Sequence, residues 1–328
     1  MKKTLVIGGA GYVGSQLVPA LLALGRQVTV LDTFWYGRKH LQAIGNPNLK
    51  LIEADMRDIY HVKKEIADAT EVIHLACISN DPSFDLNPEL GRSINLDSFR
   101  PIVKAIKESM VERFIYASSS SVYGIREEEN VTEELKLAPL TDYSKFKAEC
   151  EDIMMNEFSG DQVITILRPA TVCGYSTRQR FDLVVNILTA HAIVNKKIKV
   201  FGGSQFRPNL HIRDMVDSYI SVLTADSKYI NREIFNIGSK NLTVKEIAQA
   251  VSKEIDETIP IEYLETNDLR SYRVDSSKIL KHIGFQPQRT VNDAIAELKE
   301  HFAEFESSNP LIDPRYININ RMKQLKLG

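Results

Sequence analysis

A glycine-rich turn between an apolar run and a helical pattern is the strongest constraint on the fold of this chain. Leu5 to Ile7 predicts a strand, and Gly8, Gly11 and Gly14 follow directly before the helical pattern. In a strand-to-helix turn, the first glycine permits a tight bend, the second lets the backbone approach a pyrophosphate, and the third lets the helix pack closely on the strand. The pattern predicts a dinucleotide site, although a turn needed only for packing would show the same glycines.

An acidic residue after the second predicted strand indicates which dinucleotide is bound. Asp32 follows the apolar run 28–31, where a carboxylate would accept hydrogen bonds from the 2′-hydroxyl of an adenosine ribose. A 2′-phosphate would be repelled there, so we expect NAD rather than NADP, even with Arg38 and Lys39 nearby.

Short apolar runs alternate with helical patterns through the first half of the chain. Strands are predicted at 4–7, 28–31, 50–53, 72–75, 114–117 and 163–167, with helices at 12–24 and 88–107 among them. This alternation predicts a doubly wound α/β (Rossmann) fold, in which helices cover both faces of a parallel sheet.

The regular alternation of predicted strands and helices ends after Arg168-Pro169. Loops follow, separated by predicted helices near 183–194, 216–223, 244–254 and 291–305. We therefore expect an NAD-binding domain over 1–170 and a smaller, mixed substrate-binding lobe over 171–328. A segment near 209–240 is expected to return to the first domain, with a strand at 234–237.

Composition narrows the classes of partner. Lys and Arg number 41 against 43 Asp and Glu, a net charge of −2, and 43% of residues are hydrophobic. A near-neutral chain lacks the positive field that nucleic acid requires, and no apolar stretch approaches the roughly 20 residues that cross a bilayer. Cys77, Cys150 and Cys173 lack metal-ligand spacing. We expect a cytoplasmic enzyme with no metal and no nucleic-acid or membrane partner.

A tyrosine and a lysine lie four residues apart in a helical pattern. Tyr143 and Lys147 would share one helix face, where the ammonium would lower the tyrosine pKa and produce a base that can take the proton of a hydroxyl during its oxidation. Such pairs also occur by chance on exposed helices. Ser118 to Ser121 follow the predicted strand 114–117, so one hydroxyl is expected to bind the reacting oxygen, unless the four only satisfy backbone groups.

Together these motifs resemble the extended short-chain dehydrogenases/reductases of the nucleotide-sugar epimerase and dehydratase group. The resemblance covers nearly the whole chain. It rests on Gly8-x-x-Gly11-x-x-Gly14, Asp32, Asp55-Met56, His74-Leu75-Ala76, Asn95, residues 118–124, Tyr143-x-x-x-Lys147 and Arg168-Pro169.

The resemblance implies a catalytic role for Ser119, four residues before Tyr123, with Tyr143 as the base and Lys147 on the nicotinamide ribose. His74 is expected to be structural, and Asp55 either meets the adenine or caps the next helix. The expected NAD site comprises Gly8, Gly11, Tyr12, Val13, Gly14, Asp32, Asp55, Met56, Leu75, Ala76, Asn95, Tyr143, Lys147 and Pro169.

Two segments, 201–214 and 268–275, resemble the parts of the family that bind the substrate diphosphate. They point to Arg207 and Arg270, whose guanidinium groups would clamp phosphate oxygens, although both could be surface ion pairs. Arg178 and Arg180, on a loop expected to overhang the substrate, either contact sugar or phosphate or are solvated, and Cys173 is expected to be a small buried residue. The remaining expected substrate contacts are Ser79, Ser119, Ser120, Asn186 and Phe201.

By resemblance, the expected reaction is NAD-dependent epimerisation of a nucleoside-diphosphate sugar at C4 through a 4-keto intermediate. Ser120-Ser121 replaces the acidic pair of the family's 4,6-dehydratases, which disfavours dehydration. The alternatives are a 4-dehydrogenase or 4-keto-reductase, a UDP-glucuronate decarboxylase, and a catalytically silent NAD-binding protein. A homodimer through helices near 88–107 and 143–158 is also expected.

Overall fold

The computed structural model describes residues 1–158, 160–266 and 270–328. Within them the strands are β1 (Lys3–Ile7), β2 (Gln27–Asp32), β3 (Leu49–Glu53), β4 (Glu71–His74), β5 (Arg113–Ala117), β6 (Val163–Pro169), β7 (Thr171–Cys173), β8 (Ile198–Phe201), β9 (Phe206–His211), β10 (Glu233–Ile237), β11 (Asn241–Thr243) and β12 (Ile261–Leu264).

The helices cover the sheet faces and fill the second half of the chain. In the described residues they are α1 (Gly14–Ala23), α2 (Lys39–Gln42), α3 (Ile59–Ala67), α4 (Asp81–Leu86), α5 (Pro88–Arg92), α6 (Phe99–Lys107), α7 (Asp142–Glu157), α8 (Val184–Asn195), α9 (Ile212–Thr224), α10 (Val244–Ile255), α11 (Ser277–Ile283), α12 (Val291–Glu300) and α13 (Asn318–Gln324).

The main sheet has the strand order β10-β6-β5-β4-β1-β2-β3, and each of these pairs is parallel. Successive strands run from β1 to one edge and then from β4 to the other edge. The strand order therefore reverses between β1 and β4, and open α/β sheets bind ligands at the carboxyl ends of the strands at such a point. The predicted Rossmann fold is confirmed.

Alternate residues of β1 enter opposite layers of the core. Leu5 and Ile7 belong to a buried cluster that includes Ile102 of α6, whereas Val6 belongs to a second cluster that includes Leu17 of α1. Because both faces of the strand are covered, its sequence is a continuous apolar run rather than an alternating one. This packing fixes the glycine turn that follows β1.

The single helix predicted over 88–107 is three pieces. α5 ends at Arg92, a π-helical turn occupies Ser93–Asp97, and α6 begins at Phe99. The wider turn contains Asn95, whose Oδ1 accepts a hydrogen bond from the Ile78 amide at 2.8 Å. π-helical turns often occur next to functional sites, and this one supports the loop after β4.

The second half of the chain forms two small sheets rather than a second large one. One has the order β11-β9-β7 and the other pairs β12 with β8, while β10 returns to the main sheet beside β6. α8, α10 and α12 pack around Val185, Ile247 and Ile295. The division of the chain into two domains stays a prediction.

Residues 307–328 end in α13, which contacts α4 next to the main sheet. The Asn87 side chain donates to the Leu327 carbonyl at 2.9 Å, so the end of the chain lies against the α4–α5 segment. None of the helices in the described parts of the chain is long and apolar enough to cross a bilayer.

Candidate active site

A cavity of about 1060 Å³ opens at the carboxyl ends of β1 and β4. The glycine turn, the loops after β2 and β4, the serine segment and the start of α7 line one part of it. Residues from β8, β9 and the segment around Arg270 line the other part. A cavity of this size and position suits a dinucleotide together with a second ligand.

The glycines after β1 have three distinct surroundings. Gly8 has a φ of +84°, and a Cβ there would lie 2.4 Å from the Ala76 nitrogen. A Cβ on Gly14 would lie 2.3 Å from the Gly9 carbonyl oxygen, whereas one on Gly11 would meet only the Gly8 oxygen, at 3.6 Å. The first and third glycines permit tight packing, and Gly11 leaves the cavity wall open next to the N-terminus of α1, as a bound pyrophosphate requires.

Asp32 lies at the end of β2 and borders the cavity. Its Oδ2 accepts from the Ala10 amide at 2.9 Å and its Oδ1 from the Phe34 amide at 2.8 Å. Burial raises the pKa of this carboxyl, and these backbone hydrogen bonds act in the opposite direction. The carboxylate joins the glycine turn to the β2 loop and presents acceptors to a ribose, so this part of the cavity fits NAD.

The start of α7 brings Tyr143 and Lys147 to the cavity. Thr141 caps the helix, its side chain accepting from the Ser144 amide at 3.3 Å. Tyr143 is thereby held in the first turn and Lys147 follows on the same side. The Lys147 ammonium donates to the Ala117 carbonyl at 2.6 Å, at the carboxyl end of β5.

The Tyr143 side chain is half-buried and lines the cavity, and burial raises its pKa. Cys77 adds to the rise, whereas a hydrogen bond with Ser119 acts in the lowering direction. This result differs from the predicted lowering by Lys147, because the Lys147 nitrogen is 6.0 Å from the Tyr143 ring centroid and is bonded to Ala117.

The four serines after β5 have separate partners. Ser118 donates to buried Glu151, and the Ser120 hydroxyl lies 3.2 Å from that of Tyr272. Ser121 donates to the Ser119 oxygen at 2.9 Å. Ser119 is the serine of this segment that lies close enough to Tyr143 to affect its pKa, and its catalytic role stays a prediction.

Most predicted site residues border the cavity. On the cofactor side these are Gly8, Gly11, Tyr12, Val13, Gly14, Asp32, Asp55, Met56, Leu75, Ala76, Tyr143, Lys147 and Pro169, and on the substrate side Ser79, Ser119, Ser120, Phe201, Arg207 and Arg270.

Asn95 and Asn186 are exceptions. The Asn95 amide is bonded to both backbone groups of Ile78, so it supports the loop after β4 instead of lining the cavity. Asn186 is fully buried, accepts from the Gly174 amide at 3.0 Å and donates to the Arg180 carbonyl at 2.8 Å. The structure therefore replaces the predicted ligand contacts of both asparagines with loop-supporting ones.

Arg207 and Arg270 are adjacent on the substrate side. Arg207 donates to the carbonyls of Phe206, at 3.1 Å, and of Arg270, while Arg270 forms an ion pair with Asp81. This pairing places the two guanidinium groups beside the cavity with an acidic residue next to them. Of the predicted segment 268–275, Asp268 and Leu269 lie outside the described residues.

Three other predictions can be compared with the geometry. Asp58 rather than Asp55 caps α3, while Asp55 accepts from the Arg57 side chain at 2.6 Å and borders the cavity. His74 is buried between aromatic rings, and burial lowers its pKa to about 3, in agreement with a structural role. Cys173 is also buried, which raises its thiol pKa to about 12.

Sequence reasoning missed Asn318, which lies at the start of α13 and borders the cavity. Its Nδ2 donates to the Ser79 hydroxyl at 3.2 Å, although 239 residues separate the two along the chain. The sequence carries no signal for this contact, because a polar residue in a C-terminal tail has no motif around it.

The fold and the cavity define an enzyme that binds a dinucleotide and carries a serine, a tyrosine and a lysine at the mouth of that site. Residues 4–238 match the model of the NAD dependent epimerase/dehydratase family. The chain belongs to this family, which confirms the resemblance, the enzyme class and NAD as the cofactor.

Similar proteins span nearly the whole chain. A UDP-glucose 4-epimerase of Lactobacillus helveticus is 29% identical over 90% of this chain and 95% of its own length. A UDP-glucuronic acid decarboxylase of Arabidopsis thaliana is 26% identical over 92% of this chain and 69% of its own. The crystal structure of a Bacillus cereus UDP-glucuronic acid 4-epimerase, with UDP-glucuronic acid and NAD, has a TM-score of 0.83 at 26% identity, covering 92% of this chain and 99% of that one.

Proposed function

We propose that this enzyme epimerises a nucleoside-diphosphate sugar at C4 through a 4-keto intermediate. The observation that carries the proposal is the position of Ser119, Tyr143 and Lys147 at one point on the wall of the cavity. The glycine turn, Arg207 and Arg270 line the same cavity. Relatives named as UDP-sugar 4-epimerases support the same reaction.

Tyr143 acts as the base that takes the proton of the C4 hydroxyl. Ser119 supports this step because its hydroxyl lies near Tyr143 on the same cavity and can bond the reacting sugar oxygen. NAD, when bound, accepts a hydride from the sugar carbon and can return it. Tyr143 then gives its proton back to the oxygen of the inverted centre.

Lys147 supplies the positive charge that the phenolate requires. Its ammonium is buried and is anchored on the Ala117 carbonyl, so its position is fixed by the end of β5. A charge held in a buried site acts more strongly than one in water. This fixed charge would favour a phenolate at Tyr143 during the reaction, whereas burial keeps the Tyr143 pKa raised in this structure.

Arg207 and Arg270 hold the diphosphate while the 4-keto sugar rotates in the site. Inversion requires that the 4-keto sugar present its other face without leaving the enzyme, so the anchor must be remote from C4. Guanidinium groups bind phosphate oxygens in pairs and suit that task. Arg270 would exchange its ion pair with Asp81 for the substrate.

Dehydration is disfavoured because the residues after Ser119 are Ser120 and Ser121 rather than acids. Ser120 is buried against Tyr272, and the Ser121 hydroxyl is bonded to Ser119. Neither can act as a carboxylic acid toward a leaving hydroxyl.

The test is to incubate the enzyme with UDP-, GDP-, CDP- and dTDP-sugars and catalytic NAD, following absorbance at the NADH band and identifying products by NMR. A C4 epimer with no net absorbance change is the expected result. Stoichiometric formation or consumption of NADH would assign the enzyme to the dehydrogenase or reductase reaction. Release of carbon dioxide from UDP-glucuronate would assign it to the decarboxylases, and binding without any product would leave an NAD-binding protein.

We also propose that the chain forms a homodimer through α6 and α7 and acts in the cytoplasm. α6 and α7 pack against each other, with Arg100 paired to Glu157 across them. Light scattering should give twice the monomer mass, and a monomeric mass would contradict the first part. Cell fractionation tests the second.

A further inference from the structure

Arg178 is a buried cation with unused hydrogen-bond donors. Its side chain borders the cavity, yet the residue is only 4% exposed. Nη2 donates to the Asn318 Oδ1 at 2.6 Å, and the guanidinium carbon lies 3.9 Å from the centre of the Tyr36 ring. Nε and Nη1 are buried without a hydrogen-bond partner in the described parts of the chain. Leaving two such donors unpaired is costly, which indicates that a ligand completes them.

Arg178 and Arg180 serve different parts of the cavity. Arg178 interacts with Asp32 and Tyr36, which follow β2. Arg180 donates to Asp182 at 2.8 Å and to the Ser79 hydroxyl at 3.1 Å. The loop between β7 and α8 therefore directs Arg178 to the cofactor side and Arg180 toward the loop after β4.

The glycine turn itself fixes the position of this loop. The Tyr12 hydroxyl donates to the Gly174 carbonyl at 2.6 Å, and the Ser176 hydroxyl donates to the Tyr12 carbonyl at 3.0 Å. Because these bonds join the loop to the turn that faces a pyrophosphate, Arg178 is held beside the N-terminus of α1 as part of the same wall.

We propose that Arg178 binds the diphosphate of NAD through Nε and Nη1, and that Asn318 holds the guanidinium in position for it. The glycine turn offers backbone N–H groups but no charge, and the guanidinium adds a cation whose paired donors match phosphate oxygens. Burial and repulsion from Arg180 lower the Arg178 pKa to about 10. A bound anion would act in the opposite direction and stabilise the charged guanidinium. Through Asn318, α13 thus contributes to the cofactor site.

The test compares nucleotide affinities by calorimetry on full-length protein from which bound nucleotide has been removed. Arg178→Gln should weaken NAD and ADP-ribose about 10-fold to 100-fold, the range for a charge-assisted hydrogen bond, and should leave UDP within about twofold. Arg178→Lys keeps the charge without the paired donors, so its NAD affinity should lie between those of the natural protein and of Arg178→Gln. Arg38→Gln is the matched control, because Arg38 pairs with Glu53 at the surface and does not border the cavity.

Three results would overturn the assignment. Unchanged NAD affinity in both Arg178 variants would make the residue structural only. A loss confined to UDP would make it a substrate residue, and a loss confined to NADP would make the 2′-phosphate its ligand. Circular dichroism and thermal unfolding of the nucleotide-free variants separate each result from misfolding.

The Asn318 part of the proposal has its own test. Asn318→Ala should weaken NAD about threefold to tenfold in the natural background and have no further effect when Arg178 is already glutamine. Equal losses in both backgrounds would show that Asn318 does not act through Arg178.

Discussion

The glycine turn and Asp32 form one wall of the cavity from residues close together in the sequence, whereas the groups on the substrate side come from distant segments. Gly8, Gly11 and Gly14 lie in one turn, and Asp32 ends the next strand. Arg207 and Arg270 meet through a bond that spans 63 residues. The difference teaches that backbone geometry defines the wall from Gly8 to Asp32, while tertiary packing of loops defines the substrate end and the proposed Arg178 and Asn318 contacts to the cofactor.

The largest expected effect is at the junction of the two ends. Tyr143→Phe removes the hydroxyl that exchanges the substrate proton, so turnover should fall by a factor of at least about 10³. The glycine turn and Asp32 are untouched, so NAD affinity should stay within about twofold. Steady-state assays and calorimetry measure the two quantities. Near-normal turnover would remove Tyr143 from its proposed role.

The glycine turn offers a way to separate packing from ligand approach. Gly14→Ala places a Cβ against the Gly9 carbonyl and should lower the free energy of unfolding by about 3 kcal/mol. Gly11→Ala has room within the protein and should change the free energy of unfolding by less than about 1 kcal/mol. It should weaken NAD binding about 10-fold or more, because the added Cβ enters the cavity. Denaturant unfolding and calorimetry decide, and equal effects on stability would contradict the distinction.

Arg270 tests the substrate end. Arg270→Gln should raise KM for the nucleotide sugar about 10-fold to 100-fold and leave NAD affinity unchanged, because the guanidinium is proposed to bind only the substrate diphosphate. Arg273→Gln is the control from the same segment, since Arg273 stacks on the Phe206 ring and does not border the cavity. An unchanged KM for Arg270→Gln would show that Arg270 does not bind the substrate diphosphate and only pairs with Asp81.

The smallest effect concerns His74 and the pH dependence of stability. Burial lowers its pKa from an ordinary 6.5 to about 3. Between these two pH values His74 is therefore protonated in the unfolded chain and neutral in the folded chain. The stability that His74 contributes is complete above pH 6.5 and is lost as the pH falls toward 3. His74→Phe should flatten that part of the curve of unfolding free energy against pH. Parallel curves for His74→Phe and the natural protein would contradict this reading.

The same comparison explains what the sequence could predict. The strand and helix alternation and the glycine spacing depend on local periodicity, so the Rossmann fold and the Gly8-to-Asp32 wall were predictable. Tyr143 and Lys147 also follow from their spacing in one helix, and the serine segment from its place after a strand, whereas the choice of Ser119 within that segment came from the family resemblance.

Contacts between distant segments were not predictable. Asn186 was expected on the substrate but supports the Arg180 loop, because burial of a side chain depends on elements that the local pattern does not contain. Asn318 was missed for the same reason. The raised pKa of Tyr143 was also beyond the sequence, since it depends on burial and on the position of Cys77, which lies far from Tyr143 along the chain.

The central claim is that the centre formed by Ser119, Tyr143 and Lys147 inverts C4 without net oxidation. The most direct measurement follows an accepted nucleotide sugar that carries deuterium at C4, with catalytic NAD in ordinary water, by NMR and absorbance. The account predicts deuterium retained at C4 in both epimers and no net change at the NADH band. Loss of the label to solvent, or its accumulation in the cofactor with a stoichiometric absorbance change, would contradict it.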